Sequence, residues 1–235
     1  MKKLSILLAV VALSFSNLYA QLPEPASGEE VEYTQLLTED TFDQWEGNSE
    51  YWRFEDGVLI GETTEENPLE ENNFIVWEKE VDDFELKVET RISANGNSGI
   101  QYRSEAQDGN LNILKGYQAD LDGPNNWTGQ VYEERGREFL AGRGQITWVL
   151  EDDTPVEIGS LGEEEDLLGE IRPGEWNEYH LIVRDDTIIQ LFNGRVMSIV
   201  IDDGDSQRAE GILGLQLHTG PPMKAEYRNM RFRQL

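Results

Sequence analysis

The residues best suited to chemistry on a small polar ligand cluster in Gly116–Gly136, GYQADLDGPNNWTGQVYEERG. Two short strands are expected here, Tyr117–Leu121 and Thr128–Glu133, joined by the turn-rich Asp122-Gly123-Pro124-Asn125-Asn126. Side chains on a strand alternate between faces, so Gln118 and Asp120 share one face and Tyr117, Ala119 and Leu121 the other. In the second strand Gln130 and Tyr132 oppose Val131 and Glu133. Gln, Asp and Tyr can fix hydroxyl groups and move a proton, whereas a face meant only for solvent more often carries Lys, Glu and Thr.

The same chemistry recurs on two further expected strands. Gly99–Arg103 sets Gln101 and Arg103 against Ile100 and Tyr102, and Ile212–His218 sets Gln216 and His218 against Leu213, Leu215 and Leu217. His218, one of two histidines, ends its strand beside a Gly-Pro-Pro loop, where an imidazole can serve as acid or base near neutral pH. A guanidinium at Arg103 can stabilise a developing oxyanion; a surface ion pair is the alternative in so acidic a chain. Trp127 stacks on a sugar ring or is buried in the core. His180, mid-strand between Tyr179 and Leu181, reads as structural.

One other acidic pattern matches a known chemistry. Glu80-x-Asp82-x-x-Glu85 has the carboxylate spacing of laminarinase-type retaining glycosidases, which need two carboxyls ~5 Å apart. Without a bulge, however, Glu85 faces away from Glu80 and Asp82. The acid-rich turn Asp202-Asp203-Gly204-Asp205 offers oxygen ligands of the kind Ca²⁺ takes, but no complete calcium loop is present. No cofactor is expected, with a divalent metal such as Ca²⁺ left as an alternative that no complete motif supports.

The elements that must position these residues are short strands. Asp83–Ile92 alternates Phe84, Leu86 and Val88 with Glu85, Lys87 and Glu89, the period of a half-buried strand. Asp56-Gly57 and Asn193-Gly194 are favoured two-residue hairpin turns. Further strands are expected at Phe74–Trp77, Ile146–Leu150, Trp176–Arg184, Ile188–Phe192, Val196–Ile201 and Ala225–Arg233. Glu151–Glu170 is acidic and poorly patterned and reads as a loop, and no convincing amphipathic helix is seen. A dozen or so short strands separated by turns predict an all-β fold, a two-sheet antiparallel sandwich of the jelly-roll kind.

Composition narrows the function classes. The chain opens MKKLSILLAVVALSFSNLYA, a charged start, a short apolar run and a small residue, which predicts a secretory signal over residues 1–20. Cleavage after Ala20 would leave a single domain, 21–235, exported to the periplasm or the extracellular space, with no membrane span. The absence of cysteine among the 235 residues excludes thiol catalysis and Cys-ligated metals. A formal charge of -28 disfavours nucleic acid and anionic membranes as partners and suits a neutral ligand such as a sugar. The oligomeric state is not legible.

Several blocks together resemble the 3-keto-disaccharide hydrolase family. They are WRFEDGVLIGE (52–62), DFELKVETRI (83–92), NSGIQYRSE (97–105), GYQADLDG (116–123), TGQVYEE (128–134), GEWNEYHLIV (174–183), LFNG (191–194), GILGLQLH (211–218) and EYRNMRF (226–232). Their order and spacing carry the resemblance, which implies a concanavalin-A-like sandwich. Gln118 stands where relatives often carry Glu, which leaves Asp120 as the nearest acid. The activity implied is cleavage of 3-keto-glycosides: a base removes the proton at C2, acidified by the ketone, and the enolate expels the C1 aglycone before water adds. The expected proton-transfer groups are His218 or Asp120, with Arg103 and Tyr132 stabilising the oxyanion or leaving group. Gln101, Gln118, Gln130, Gln216, Trp127 and Glu133 are expected to bind the carbohydrate. All of this requires Arg103, Asp120 and His218 on one concave sheet face. A non-catalytic sugar-binding module and a laminarinase-like glycosidase are the alternatives.

Overall fold

A computed structural model describes residues 32–235; the expected signal segment lies outside the described residues. In chain order the first strands are β1 (Thr34–Gln35), β2 (Trp45–Glu46), β3 (Trp52–Glu55), β4 (Val58–Glu62), β5 (Asn73–Val81) and β6 (Phe84–Ile92). The middle of the chain forms β7 (Asn97–Gln107), β8 (Asn110–Asp122), β9 (Val131–Glu134), β10 (Glu138–Ala141), β11 (Gln145–Val149) and β12 (Pro155–Ser160). A short helix, α1 (Glu164–Leu168), precedes β13 (Asn177–Arg184), β14 (Thr187–Phe192), β15 (Arg195–Asp202), β16 (Gly211–Leu217) and β17 (Lys224–Gln234).

These strands form the expected two-sheet sandwich. The larger sheet runs β12-β11-β15-β14-β13-β6-β17-β4-β3, with β1 on β17, and the smaller runs β10-β9-β8-β7-β16-β5-β2. All neighbours are antiparallel except β11 and β15, which pair parallel. The expected turns close β3–β4 and β14–β15: Asp56 and Gly57 have φ of 50° and 78°, Asn193 and Gly194 of 50° and 81°. Two successive positive φ values match the twist of the flanking strands, and Asn or Asp before Gly tolerates them. Asp108-Gly109, with φ of 50° and 76°, makes a third such turn and joins β7 and β8 into one long hairpin.

The core lies between the sheets. Phe84, Leu86 and Val88 of β6 and Tyr179, Leu181 and Val183 of β13 meet Ile100 and Tyr102 of β7, Tyr117, Ala119 and Leu121 of β8, and Leu213, Leu215 and Leu217 of β16 in one buried cluster. Each set is the apolar half of an alternating strand, so the polar halves point outward by necessity. Glu151–Glu170 departs from its reading as a loop, since it contains β12 and α1. Strand β12 is exposed along nearly its whole length at a sheet edge, and α1 buries only Leu167. Neither needs the apolar periodicity that reveals buried elements.

The long hairpin bends. Its register shifts between Tyr102 and Glu105, where Arg103 adopts a left-handed φ of 45°. Such bulges bend a strand. Beyond the bend, Leu111 and Leu114 cover Phe74 and Val76 on the outer side of the smaller sheet, forming a second apolar cluster with Ile212. The bent hairpin thus walls one end of that outer face.

A candidate active site on the smaller sheet

Register fixes which polar residues meet on this face. Gly214, Gln101, Gln118, Tyr132 and Phe139 are successive partners across β16, β7, β8, β9 and β10. The adjacent row aligns Phe74, Gln216, Gly99 and Asp120, and the Asp120 amide donates to the Gln130 carbonyl at 3.3 Å. Directly paired Cβ atoms in antiparallel strands lie about 4.5–5.5 Å apart, so both rows are within reach of one sugar ring.

An amide relay joins them. Ser104 Oγ donates to Gln101 Oε1 at 2.6 Å, Gln101 Nε2 to Gln118 Oε1 at 2.8 Å, and Gln118 Nε2 to Asp120 Oδ1 at 2.7 Å. Gln130 Nε2 donates to Asp120 Oδ2 at 2.6 Å. Gln216 accepts a long bond from Gln118 at 3.4 Å and donates to Glu134 Oε2 at 3.2 Å. Strands β7 and β8 separate Gln216 from Glu134 in the sheet. Their side chains meet only because the sheet curves inward, which makes this face concave. Gly99 is part of the design: a Cβ there would sit 2.5 Å from Gln118 Cγ and Cδ, so only glycine lets Gln118 lie across β7.

Asp120 is the carboxyl on which the amide relay converges. Its side chain is 7% exposed, and burial pushes its carboxyl up to about 7. The donors Gln130 and Gln118 oppose that rise, while the charges of Asp122 and Glu134 add to it. An unpaired carboxylate bonded only by neutral amides has no cation to hold it ionised. Tyr132 is raised as well, by burial and then by Glu134, Glu138 and Asp120, so its hydroxyl remains a proton donor.

His218 continues the ladder past β16, its amide reaching the Asn97 carbonyl at 3.3 Å, and so ends the row that contains Asp122. Its Nδ1 lies 2.6 Å from the Thr219 carbonyl and must donate to it, which leaves Nε2 as the free ring nitrogen. Trp127 is not core: it is 45% exposed, its ring 5.7 Å from that of Phe139, which lies 5.1 Å from Tyr132.

Two expected members are elsewhere, and with Arg103 among them the expectation that Arg103, Asp120 and His218 share one face is not met. Arg103 is buried and turned toward the larger sheet's end, donating to the Asp82, Asp185 and Arg208 carbonyls at 2.9, 2.8 and 3.1 Å and pairing with Asp83 at 2.8 Å. The left-handed backbone at the bulge breaks simple alternation, so Arg103 does not share the face of Gln101. It pins the hairpin bend. Glu133 points inward, where Arg137 and Arg208 hold it at 2.5 and 3.2 Å. Its neighbour Glu134 is the β9 carboxylate that joins the face, as alternation with Tyr132 requires.

Asp122 was not singled out from sequence as a site residue, yet it builds the loop that carries Trp127. Its carboxylate accepts from the amides of Asn126, Trp127 and Thr128 at 2.9, 2.9 and 2.8 Å. The Asp-Gly-Pro-Asn signature of a side-chain-closed turn was the available clue. The Glu80-Asp82-Glu85 pattern does not assemble. Glu80 is exposed on β5 of the smaller sheet, while Glu85 lies on β6 of the larger one, bonded to His180 at 2.8 Å and to Arg233. Among the described residues no group of acids and histidines is arranged to hold a metal ion, and no helix is long and apolar enough to cross a membrane.

Solved structures share this architecture at low identity. A protein provisionally described as a glycosyl hydrolase from Parabacteroides distasonis is 18% identical with a TM-score of 0.59, covering 87% of this chain and 100% of its own. A Bacillus subtilis protein of unknown function with a galectin-like fold is 14% identical with a TM-score of 0.57, over 86% and 98%. A carbohydrate-binding module from Bacillus subtilis is 14% identical with a TM-score of 0.50, over 80% and 93%. No curated protein matches the sequence. Residues 32–233 match the model of the 3-keto-alpha-glucoside-1,2-lyase-like domain, and the chain belongs to that carbohydrate-related family.

Proposed function

We propose that the protein cleaves 3-keto-glycosides, using Asp120 as the group that removes the C2 proton. The observation that supports this reading is a buried carboxyl, held only by neutral amide donors at the centre of a concave face, which burial pushes up to about 7. A general base works best when its pKa lies near the working pH. Deprotonation at C2 places charge on the C3 oxygen; the electron pair then forms the C1–C2 double bond as the C1–O bond breaks. The aglycone oxygen takes a proton, and addition of water across C1–C2 completes a net hydrolysis.

With Arg103 committed to the hairpin bend, charge on the C3 oxygen falls to donors present on the face. Tyr132 and the amides of Gln118 and Gln216 are those donors. Both oxygens of Asp120 hold amide protons. Reaching C2–H therefore requires Gln118 or Gln130 to hand its bond to a substrate hydroxyl, which couples binding to activation. His218, the other expected proton-transfer group, keeps its Nε2 free at the β16 end of the face. The expected leader, if functional, would place this activity outside the cytoplasm.

The occupied oxygens also favour a second reading, a sugar-binding module without turnover. An assay on a 3-keto-disaccharide in D₂O separates them. Elimination followed by hydration places solvent deuterium at C2 of the released 3-keto sugar; a binding module gives saturable binding and no product.

A further inference from the structure

The aromatic group beside Asp120 is exposed and yet rigidly held. Trp127 is 45% and Phe139 50% exposed, and with Tyr132 they form one contiguous aromatic surface, the rings 5.7 and 5.1 Å apart. The loop carrying Trp127 is fixed twice. Asp122 takes three of its amides, and Arg143 donates to the Thr128 carbonyl at 2.6 Å and the Asn125 carbonyl at 3.1 Å. Phe139 is the cross-strand partner of Tyr132, itself the partner of Gln118. The rings therefore continue the polar row, one to two strand spacings beyond the amide that binds Asp120.

We infer that Trp127, Phe139 and Tyr132 form the aglycone subsite and select leaving groups that present a flat apolar face, an aryl group or the C–H face of a second pyranose, over small alkyl groups. The inference rests on the reading of Asp120 as the centre of a 3-keto-glycoside site. The polar row takes the oxidised sugar through its hydroxyls, and the adjoining rings take whatever is attached at C1. A held aromatic surface loses little conformational freedom on binding, so stacking contributes to affinity without an ordering cost.

The test uses the Asp120→Asn variant, whose turnover is expected to be slow enough for binding to be measured, and compares binding of the 3-keto forms of phenyl and methyl β-glucoside by titration calorimetry. The phenyl compound is expected to bind about tenfold more tightly. Adding Phe139→Ala or, separately, Trp127→Ala is expected to erase most of that preference. Both rings are exposed, and matching melting temperatures would show that the variants fold. Equal affinity for the two compounds in Asp120→Asn, unchanged by either ring substitution, would overturn the subsite and leave the site itself standing. Failure to bind either compound would overturn the 3-keto-glycoside reading and the subsite with it.

Discussion

The two sheets each present a polar outer face, but they treat their carboxyl groups in opposite ways. On the larger sheet every prominent acid has a cation. Glu85 meets His180, Lys87 and Arg233; Glu89 meets Arg228 at 2.7 Å; Glu226 meets Arg91 at 2.7 Å; Glu178 meets Arg231 at 2.8 Å. Arg91 and Arg228 also lie against the Trp176 ring, at 4.6 and 4.0 Å. Burial alone would raise Glu85, yet hydrogen bonds from His180, Tyr33 and Arg233 overcome it and bring the carboxyl down to about 2. On the smaller sheet Asp120 has only amides, and burial wins. One face is a charge-paired surface; the other keeps a proton within reach of neutral pH.

Substitutions should break this contrast in order of size. Asp120→Asn should lower turnover of a 3-keto-disaccharide by about 10²–10⁴-fold, the usual weight of a general base, whereas Glu85→Gln should leave kcat/KM within about twofold. Steady-state kinetics on both variants checks this. The same Asp120→Asn change should help folding at high pH. The folded carboxyl sits at about 7 instead of the ordinary 3.8, so the wild type is penalised as pH rises through that interval. Denaturant unfolding should show the variant gaining stability between pH 4 and pH 8 relative to wild type, by up to roughly 4 kcal/mol.

Glu85 has the reverse sign. Its folded carboxyl is depressed from 4.5 to about 2, so its contribution is present above the ordinary value and lost as pH falls toward about 2. Glu85→Gln should cost about 1–3 kcal/mol at pH 7, because His180, Lys87 and Arg233 lose a charged partner, and the deficit should shrink in unfolding measurements below pH 3. Smallest of all, Trp176→Ala should cost ~0.5–1 kcal/mol through the two guanidinium contacts, with no change in activity.

Much of this contrast was present in the sequence. Alternation placed Gln101, Gln118, Asp120, Gln130, Tyr132 and Gln216 on outward faces, and register brought them together as one surface. Alternation failed at Arg103, because a left-handed residue at a bulge sends the next side chains off the regular period, and a bulge has no reliable sequence mark here. Glu133 and Glu134 differ only in parity; the former was expected to bind substrate although alternation already set it opposite Tyr132. Trp127 was undecided between core and surface because burial depends on the loop fold, and that fold is dictated by Asp122 contacts several residues away. The signs of the two carboxyl shifts were not legible at all. They depend on which partners arrive, cations from β13 and β17 for Glu85, amides from β8 and from Gln130 just before β9 for Asp120.

The most direct test is a ¹³C NMR titration of the side-chain carboxyl groups, with Asp120 and Glu85 assigned from their variants. A midpoint near 7 for Asp120, with Glu85 still ionised down to about pH 3, is the expected result. An Asp120 midpoint near the ordinary 3.8 would contradict the account, since the amide-lined centre of the face would then hold no carboxyl poised to take and return a proton at neutral pH.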